Sequence, residues 1–224
     1  MKAEELIEEN NKKRTQLTKE NLKYYEDMLV YIRLSFSKSE QETEEVLSEL
    51  LDHLLQAQAE GKTAEEVFGN DPKQYTNDII GELPKMMTKE QIQFFAMLCL
   101  YYLAASTFFS GFLTLFFYYV LGKGKWAEAY HIGSVLLQVI VSIPIAFFLL
   151  YVIIYYLRWS CFKGINKILE FIILWIYSAL SLGIFMLVIY LIPDFGPVVT
   201  MPVYVLLLIG IVLYAAARIT RASI

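Results

Sequence analysis

The sequence predicts an all-α protein: a small cytoplasmic helical domain followed by a four-helix transmembrane bundle. Three observations carry that expectation. The first 90 residues are crowded with charge, twelve Lys or Arg against twenty Asp or Glu. From Gln91 to Gly122 none of these four residue types occurs, a run of 32 residues, where a spanning helix needs only about 20. Three more long apolar stretches follow. At 57% hydrophobic the chain exceeds the roughly 45–50% of soluble domains, but that average conceals two unlike parts. The expected division is a domain over residues 1–87 and a membrane domain over 88–224.

Helix punctuation is legible in the charged part. Helices are expected at about 3–14, 18–36, 39–60, 63–68 and 72–83, and from 88 into the membrane. Ser39 with Glu42, Thr63 with Glu66, and Thr88 with Gln91 have capping-box spacing. Gly61 is a C-terminal stop, and Asp71-Pro72 reads as an N-cap followed by an N1 proline, opening a helix that Pro84 ends. No strand pattern competes in this part.

Apolar spacing says which faces are buried. Val46, Leu47, Leu50, Leu51, Leu54 and Leu55 form one stripe. Leu22, Tyr25, Met28, Leu29, Ile32 and Phe36 form a second, and Val67, Phe68, Tyr75, Ile79, Ile80 and Leu83 can close the pair. A core of this size is marginal alone, so docking on the membrane part or on a partner is expected. The first helix has only Leu6 and Ile7 as large apolar residues and is expected to be loosely attached, or to engage something outside this chain. Its acidic start has no apolar signal-peptide core, so insertion is expected to be directed by the first span.

Spans are expected at about 93–121, 133–157, 171–192 and 198–217. Pro144 lies inside the second and should kink it. Pro193-Asp194-Phe195-Gly196-Pro197 reads as a tight turn making a hairpin of the third and fourth. Lys85, Lys89, Arg158, Lys163, Lys167, Arg218 and Arg221 would flank one side, and only Lys123 and Lys125 the other. The excess of cations marks the cytoplasmic side, so a multi-pass protein of the cell membrane with both termini cytoplasmic is expected. Tyr118, Tyr119, Trp126 and Tyr130 suit the outer interface; Tyr155, Tyr156 and Trp159 suit the inner one.

Candidate sites are few. Within the spans Gln138 and Ser142 beside Pro144 are the polar group worth testing as a pathway. No ionisable residue sits at mid-depth, which weakens ion coupling. Ala104, Ala105, Ser106, Ser110 and Gly111, and again Ser178, Ser181 and Gly183, are small-residue patches that suit helix packing. The second inter-helix loop, with Arg158, Lys163 and Lys167 among Trp159, Phe162, Ile165, Ile168 and Leu169, suits an interfacial helix. It is a docking face for anionic headgroups or for the acidic domain, whose net charge over residues 1–90 is −8. Glu49, Asp52 and His53 form the one polar cluster of the soluble part. Two ligands at helical spacing without a third make a poor metal site, and a solvated ion-paired face is the plainer reading. Cys99 and Cys161 show no ligand or disulfide spacing. No cofactor is expected, no nucleic-acid binding from so acidic a domain, and no catalytic motif or enzyme activity.

The segment EEVLSELLDHLLQAQAEGKTAEEVFGNDPKQYTNDIIGEL, Glu44–Leu83, resembles the N-terminal helical module of the DUF1129 family of Firmicutes membrane proteins. It is also similar to HAAS-type modules of small bacterial membrane proteins. The likeness rests on LLQAQAEGKTAEEVFG, Leu54–Gly69, followed by an Asp-Pro helix start. It implies a cytoplasmic helical module joined to four spanning helices in a Gram-positive bacterium, with no catalytic residues to carry over. The expected role is a regulatory or adaptor membrane protein whose module binds a protein partner within a lipid bilayer setting. The alternative is a small homo-oligomeric transporter or channel.

Overall fold

The computed structural model describes residues 1–35, 38–122 and 126–222. Phe36, Lys123, Lys125 and the Thr88 side chain, all used in the sequence reading, lie outside the described residues. The chain divides into two compact units, Met1–Met87 with Tyr151–Leu169, and Thr88–Leu150 with Glu170–Ile224.

The first unit begins with α1 (Ala3–Lys13), a short 3-10 turn, α2 (Lys19–Arg33), α3 (Glu40–Ala59), α4 (Ala64–Phe68) and α5 (Pro72–Glu82). Side chains set most of the starts. Thr18 caps α2 by accepting from Asn21 N, Thr63 and Glu66 form a complete capping box on α4, and Asp71 accepts from Gln74 N at 2.9 Å with Pro72 behind it. Ser39 stands at the N-cap of α3, but its hydroxyl engages the Glu42 carboxylate instead of a backbone N–H. The expected box is therefore open there. α3 ends at Ala59 with Glu60 as its C-cap, and the chain turns away at Gly61, whose φ of +83° is a conformation glycine adopts without steric cost.

The two stripes meet as their spacing predicts. Tyr25, Met28, Leu29 and Ile32 of α2 pack with Leu47, Leu50, Leu51 and Leu54 of α3, and Phe68 and Leu83 join the same core. Asn21 ties three elements: its Nδ2 donates to Gln58 Oε1 at 3.1 Å, and its Oδ1 accepts from Ala64 N at 2.7 Å.

The loose attachment expected for α1 is corrected. Leu6 is buried and Asn10 is 1% exposed. Asn10 Nδ2 donates to Tyr25 Oη at 2.5 Å, and that hydroxyl donates onward to Leu47 O at 2.8 Å. Lys13 adds an ion pair to Asp52 at 2.8 Å. The anchor is a hydrogen-bonded asparagine rather than a third apolar residue, so an apolar count under-reads this helix.

Burial pushes the Tyr25 hydroxyl up to about 12, and burial followed by the Glu65 carboxylate does the same for Tyr24. A folded-state value above the unfolded value of about 10 means that the native state holds its proton more tightly. The stabilisation is complete below about pH 10 and is lost as pH rises through about 12. Module stability is therefore expected to fall across that window. Phenolate absorbance should show a step near the top of it, and Tyr25→Phe should remove part of that step.

The second part of the chain supplies α6 (Thr88–Tyr119), β1 (Ala127–His131), α7 (Ile132–Ser160), α8 (Lys167–Leu191), β2 (Val198–Pro202) and α9 (Val203–Ala222). Among the described residues four helices are long and apolar enough to cross a membrane: Lys89–Tyr119, Ile132–Ser160, Lys167–Leu191 and Val203–Arg221. With a helical N-terminal module, this is an all-α multi-pass membrane protein. α7 runs through Pro144 without a break.

Within the second unit α9 packs along α6. Small residues let the two backbones approach. A Cβ at Gly210 would stand 3.2 Å from Ala104 O and 3.1 Å from Phe108 Cβ, and one at Gly111 would stand 3.0 Å from Leu207 Cδ2. The first small-residue patch is thus a packing face only at Ala104 and Gly111, with Gly210 on the facing helix, while Ala105, Ser106 and Ser110 are exposed. The second is not: α8 buries no side chain, Ser178 and Ser181 donate back to their own helix, and Gly183 faces open space. α8 is held through Tyr177, whose hydroxyl donates to Leu149 O, and through ring contact between Tyr102 and Phe185.

Two expectations about the fourth span change. It begins at Val203, because residues 198–202 form β2, antiparallel to β1 with Ala129 opposite Thr200. The Pro193–Pro197 segment does not lay α9 along α8. It folds onto the start of α7 instead, where Ile132 N donates to Pro197 O at 2.9 Å and Ser134 Oγ donates to Pro193 O and accepts from Phe195 N, both at 2.8 Å. Val198, Val199 and Thr200 are β-branched and apolar enough to extend a hydropathy window, which is why hydropathy alone does not separate the strand from the span.

Candidate functional site

Residues 151–169 belong to the same unit as the helical module. α7 ends at Ser160 and α8 starts at Lys167, with turn and coil between them. The interfacial helix expected in this loop is therefore corrected to a short connection. Its breakers are Gly164 and Asn166, whose Oδ1 accepts from Ile168 N at 2.9 Å. Phe162 has φ +63°, a left-handed conformation that a bulky residue adopts only when its surroundings hold it there. What holds it is the module core: Phe162 packs against that core, with its ring 5.6 Å from the ring of Tyr31.

The three cations of the expected docking face have different neighbours. The Arg158 guanidinium lies over the Tyr31 ring at 4.4 Å, a cation–π geometry. Lys163 Nζ lies 3.5 Å over the ring of its own neighbour Trp159. Lys167 is exposed at the first position of α8. Arg158 and Phe162 thus both make aromatic contacts with Tyr31 of α2, whose hydroxyl donates to Asn77 Oδ1 at 3.0 Å.

Beside this junction, Leu34, Ser35 and Ile80 face Tyr151, Ile154, Tyr155 and Arg158 across a cleft of about 390 Å³. A second cleft, of about 340 Å³, lies on the module between the end of α3 and α4, lined by His53, Gln56, Ala57, Glu60, Lys62, Glu66 and Val67. The Glu49, Asp52 and His53 group does not converge. Asp52 is committed to Lys13, Glu49 and His53 are exposed, and His53 alone lines the cleft. Among the described residues no three His, Cys, Asp or Glu side chains gather as a metal site would require. Nor do the intramembrane residues form a common site. Ser142 is buried and donates to Val139 O of its own helix at 3.3 Å, Gln138 is half-buried, and Pro144 is exposed. None of the three lines either cleft.

Sequence reasoning missed one charged pair that the fold buries. Arg33 Nε and Nη2 donate to Glu44 Oε1 and Oε2, each at 2.7 Å. The Glu44 side chain is 3% exposed and that of Arg33 27%. Glu44 lies three residues before Leu47 and seven before Leu51, on the core face of α3. That phase is the signal the sequence holds, although Glu44 also reads as one more residue of an acidic run.

Comparison with curated proteins and with solved structures finds no match. A family model described as "Protein of unknown function (DUF1129)" matches residues 16–221, which takes in the α2–α5 core, the Tyr31 junction and all four long apolar helices. The chain belongs to the DUF1129 family.

Proposed function

We infer that this chain is a non-enzymatic regulatory or adaptor protein of the cell membrane, and that its N-terminal module binds a basic partner protein in the cytoplasm. One observation carries the reading. The module closes its apolar stripes into its own core and leaves an acid-rich exterior, with Glu45, Glu49, Asp52, Glu60, Glu65 and Glu66 all exposed on α3, α4 and the turns beside them. Such a surface steers and orients a cationic partner. The cytoplasmic placement rests on the flanking Lys and Arg, seven against two. The likeness of Glu44–Leu83 to HAAS-type modules of Gram-positive bacteria adds support by analogy alone.

Affinity capture of the full-length protein from mild detergent, beside a variant lacking residues 1–90, tests the reading. A partner lost with the deletion and weakened by Glu49→Lys with Glu65→Lys is the expected result. Partners that survive the deletion count against it. A second reading, a homo-oligomeric transporter or channel, draws on α8, which buries no side chain and leaves Gly183 open. Solute flux in proteoliposomes that rises with protein concentration would favour it, since an adaptor should give none.

A further inference from the structure

The last three turns of α7 place Tyr151, Ile154, Tyr155 and Arg158 at spacings of three and four, hence on one helix face. Leu34, Ser35 and Ile80 form the opposite wall of the cleft. Its volume, about 390 Å³, falls in the range of about 300–1,000 Å³ typical of small-molecule sites. Three features define what it could hold. Its walls are aliphatic and aromatic apart from Ser35 and Arg158, and no acid lines it. Arg158 forms no ion pair among the described residues, its guanidinium resting instead on the Tyr31 ring. The Ser35 hydroxyl is buried and has no hydrogen-bond partner among the described residues, a condition native proteins rarely leave unexplained.

These features run from apolar to cationic along a helix long enough to cross a bilayer. From Tyr151 to Arg158 the helix rises about 10 Å, so a ligand lying along this face would pass from hydrocarbon toward the headgroup level. A soluble anion would use the cation and leave the apolar wall empty. A zwitterionic lipid would bring a second charge with no acid to meet it. We propose that this cleft binds one anionic phospholipid of the leaflet at the C-terminal end of α7, its acyl chain against Tyr151 and Ile154 and its phosphate at Arg158, with Ser35 as a second donor. The bound lipid would sit against the Tyr31 junction. This site is independent of the partner reading, and a failed capture experiment leaves it standing.

Native mass spectrometry of the full-length protein, released from mild detergent with added phosphatidylglycerol or with phosphatidylcholine of the same chains, reads it directly. Wild type should retain phosphatidylglycerol preferentially. Arg158→Gln should lower that retention about tenfold, the scale of one charge-assisted hydrogen-bonded contact. Arg218→Gln, an exposed cation on α9, should leave it unchanged. Equal losses in the two variants, equal retention of the two lipids, or displacement by inorganic phosphate at matched concentration would each overturn the proposal. Should Arg158→Gln not fold, wild type with a photoreactive acyl phosphatidylglycerol decides the matter. Adducts confined to residues 151–158 and the Leu34–Ser35 turn support the site, and adducts spread evenly over the four spanning helices overturn it.

Discussion

Replacing Arg33 by alanine is expected to destabilise the N-terminal module by about 3–5 kcal/mol, the scale for removing one partner of a buried ion pair. Glu44 is the reason. Its carboxylate is almost wholly out of water and receives both of its close contacts from the Arg33 fork. Without Arg33 it must ionise in an apolar setting or take up a proton, and both cost free energy. A salt bridge on the surface would be worth only about 0–1 kcal/mol, so the size of the loss separates the two cases. Denaturant unfolding of the full chain in detergent, followed by hydrogen exchange of α2 and α3 amides, measures it. The double change Arg33→Met with Glu44→Leu should recover most of the loss, because an apolar pair of similar volume removes the desolvation problem. A single-variant loss within about 0.5 kcal/mol of wild type, the range of ordinary surface substitutions, would show that the pair is solvated in solution.

Helix periodicity reads the parts of this fold that are held by apolar stripes and misreads the parts held by polar groups in the same phase. The α2 and α3 stripes, the Thr63 box, the Asp71-Pro72 start and the four spans all follow from local spacing. Asn10, four residues after Leu6, and Glu44, three before Leu47, occupy core positions with hydrogen-bonding side chains. A hydropathy pattern scores them as breaks in a face when they are its anchors. The same applies to the second inter-helix loop, where cations alternating with aromatics resemble an interfacial helix. Gly164 and Asn166 were the contrary signals there, and the left-handed Phe162 is set by a tertiary contact that no local pattern carries. Strands β1 and β2 lie further from reach, because their pairing joins segments some seventy residues apart and each abuts an apolar helix. Of the candidate sites, the sequence marked Arg158 but not its cleft, since Ser35, in the turn after α2, and Ile80 of α5 enter it from positions distant in the chain.

Gly133→Ala should disrupt the closure between β1, α7 and the Pro193–Pro197 segment, although alanine is the better helix former. A Cβ at Gly133 would stand 2.5 Å from Phe195 Cε2 and 2.8 Å from Phe195 O. The ring could swing aside, but the carbonyl oxygen belongs to the backbone and accepts from Ser134 N at 3.3 Å. Relief therefore requires the whole segment to move. Gly196 is close on the other side, with φ +87° and its own Cβ direction 2.8 Å from Gly133 N, so the two glycines are matched surfaces of one contact. Displacing the segment lengthens the bonds of Ser134 to Pro193 and Phe195 together with that of Ile132 to Pro197. Overpacking of this kind costs about 1–3 kcal/mol, most of it confined to this closure. Hydrogen exchange at Ile132, Ser134 and Phe195 should accelerate by about tenfold or more, as a factor of ten corresponds to about 1.4 kcal/mol. Protection in α2 and α3 should stay as it is. Gly183→Ala, at a glycine with nothing within 4 Å, should leave all of these amides unchanged. If the two alanine variants behave alike, the approach of Phe195 to α7 is looser in the bilayer than the geometry described, and β2 must then be held to β1 by its ladder alone.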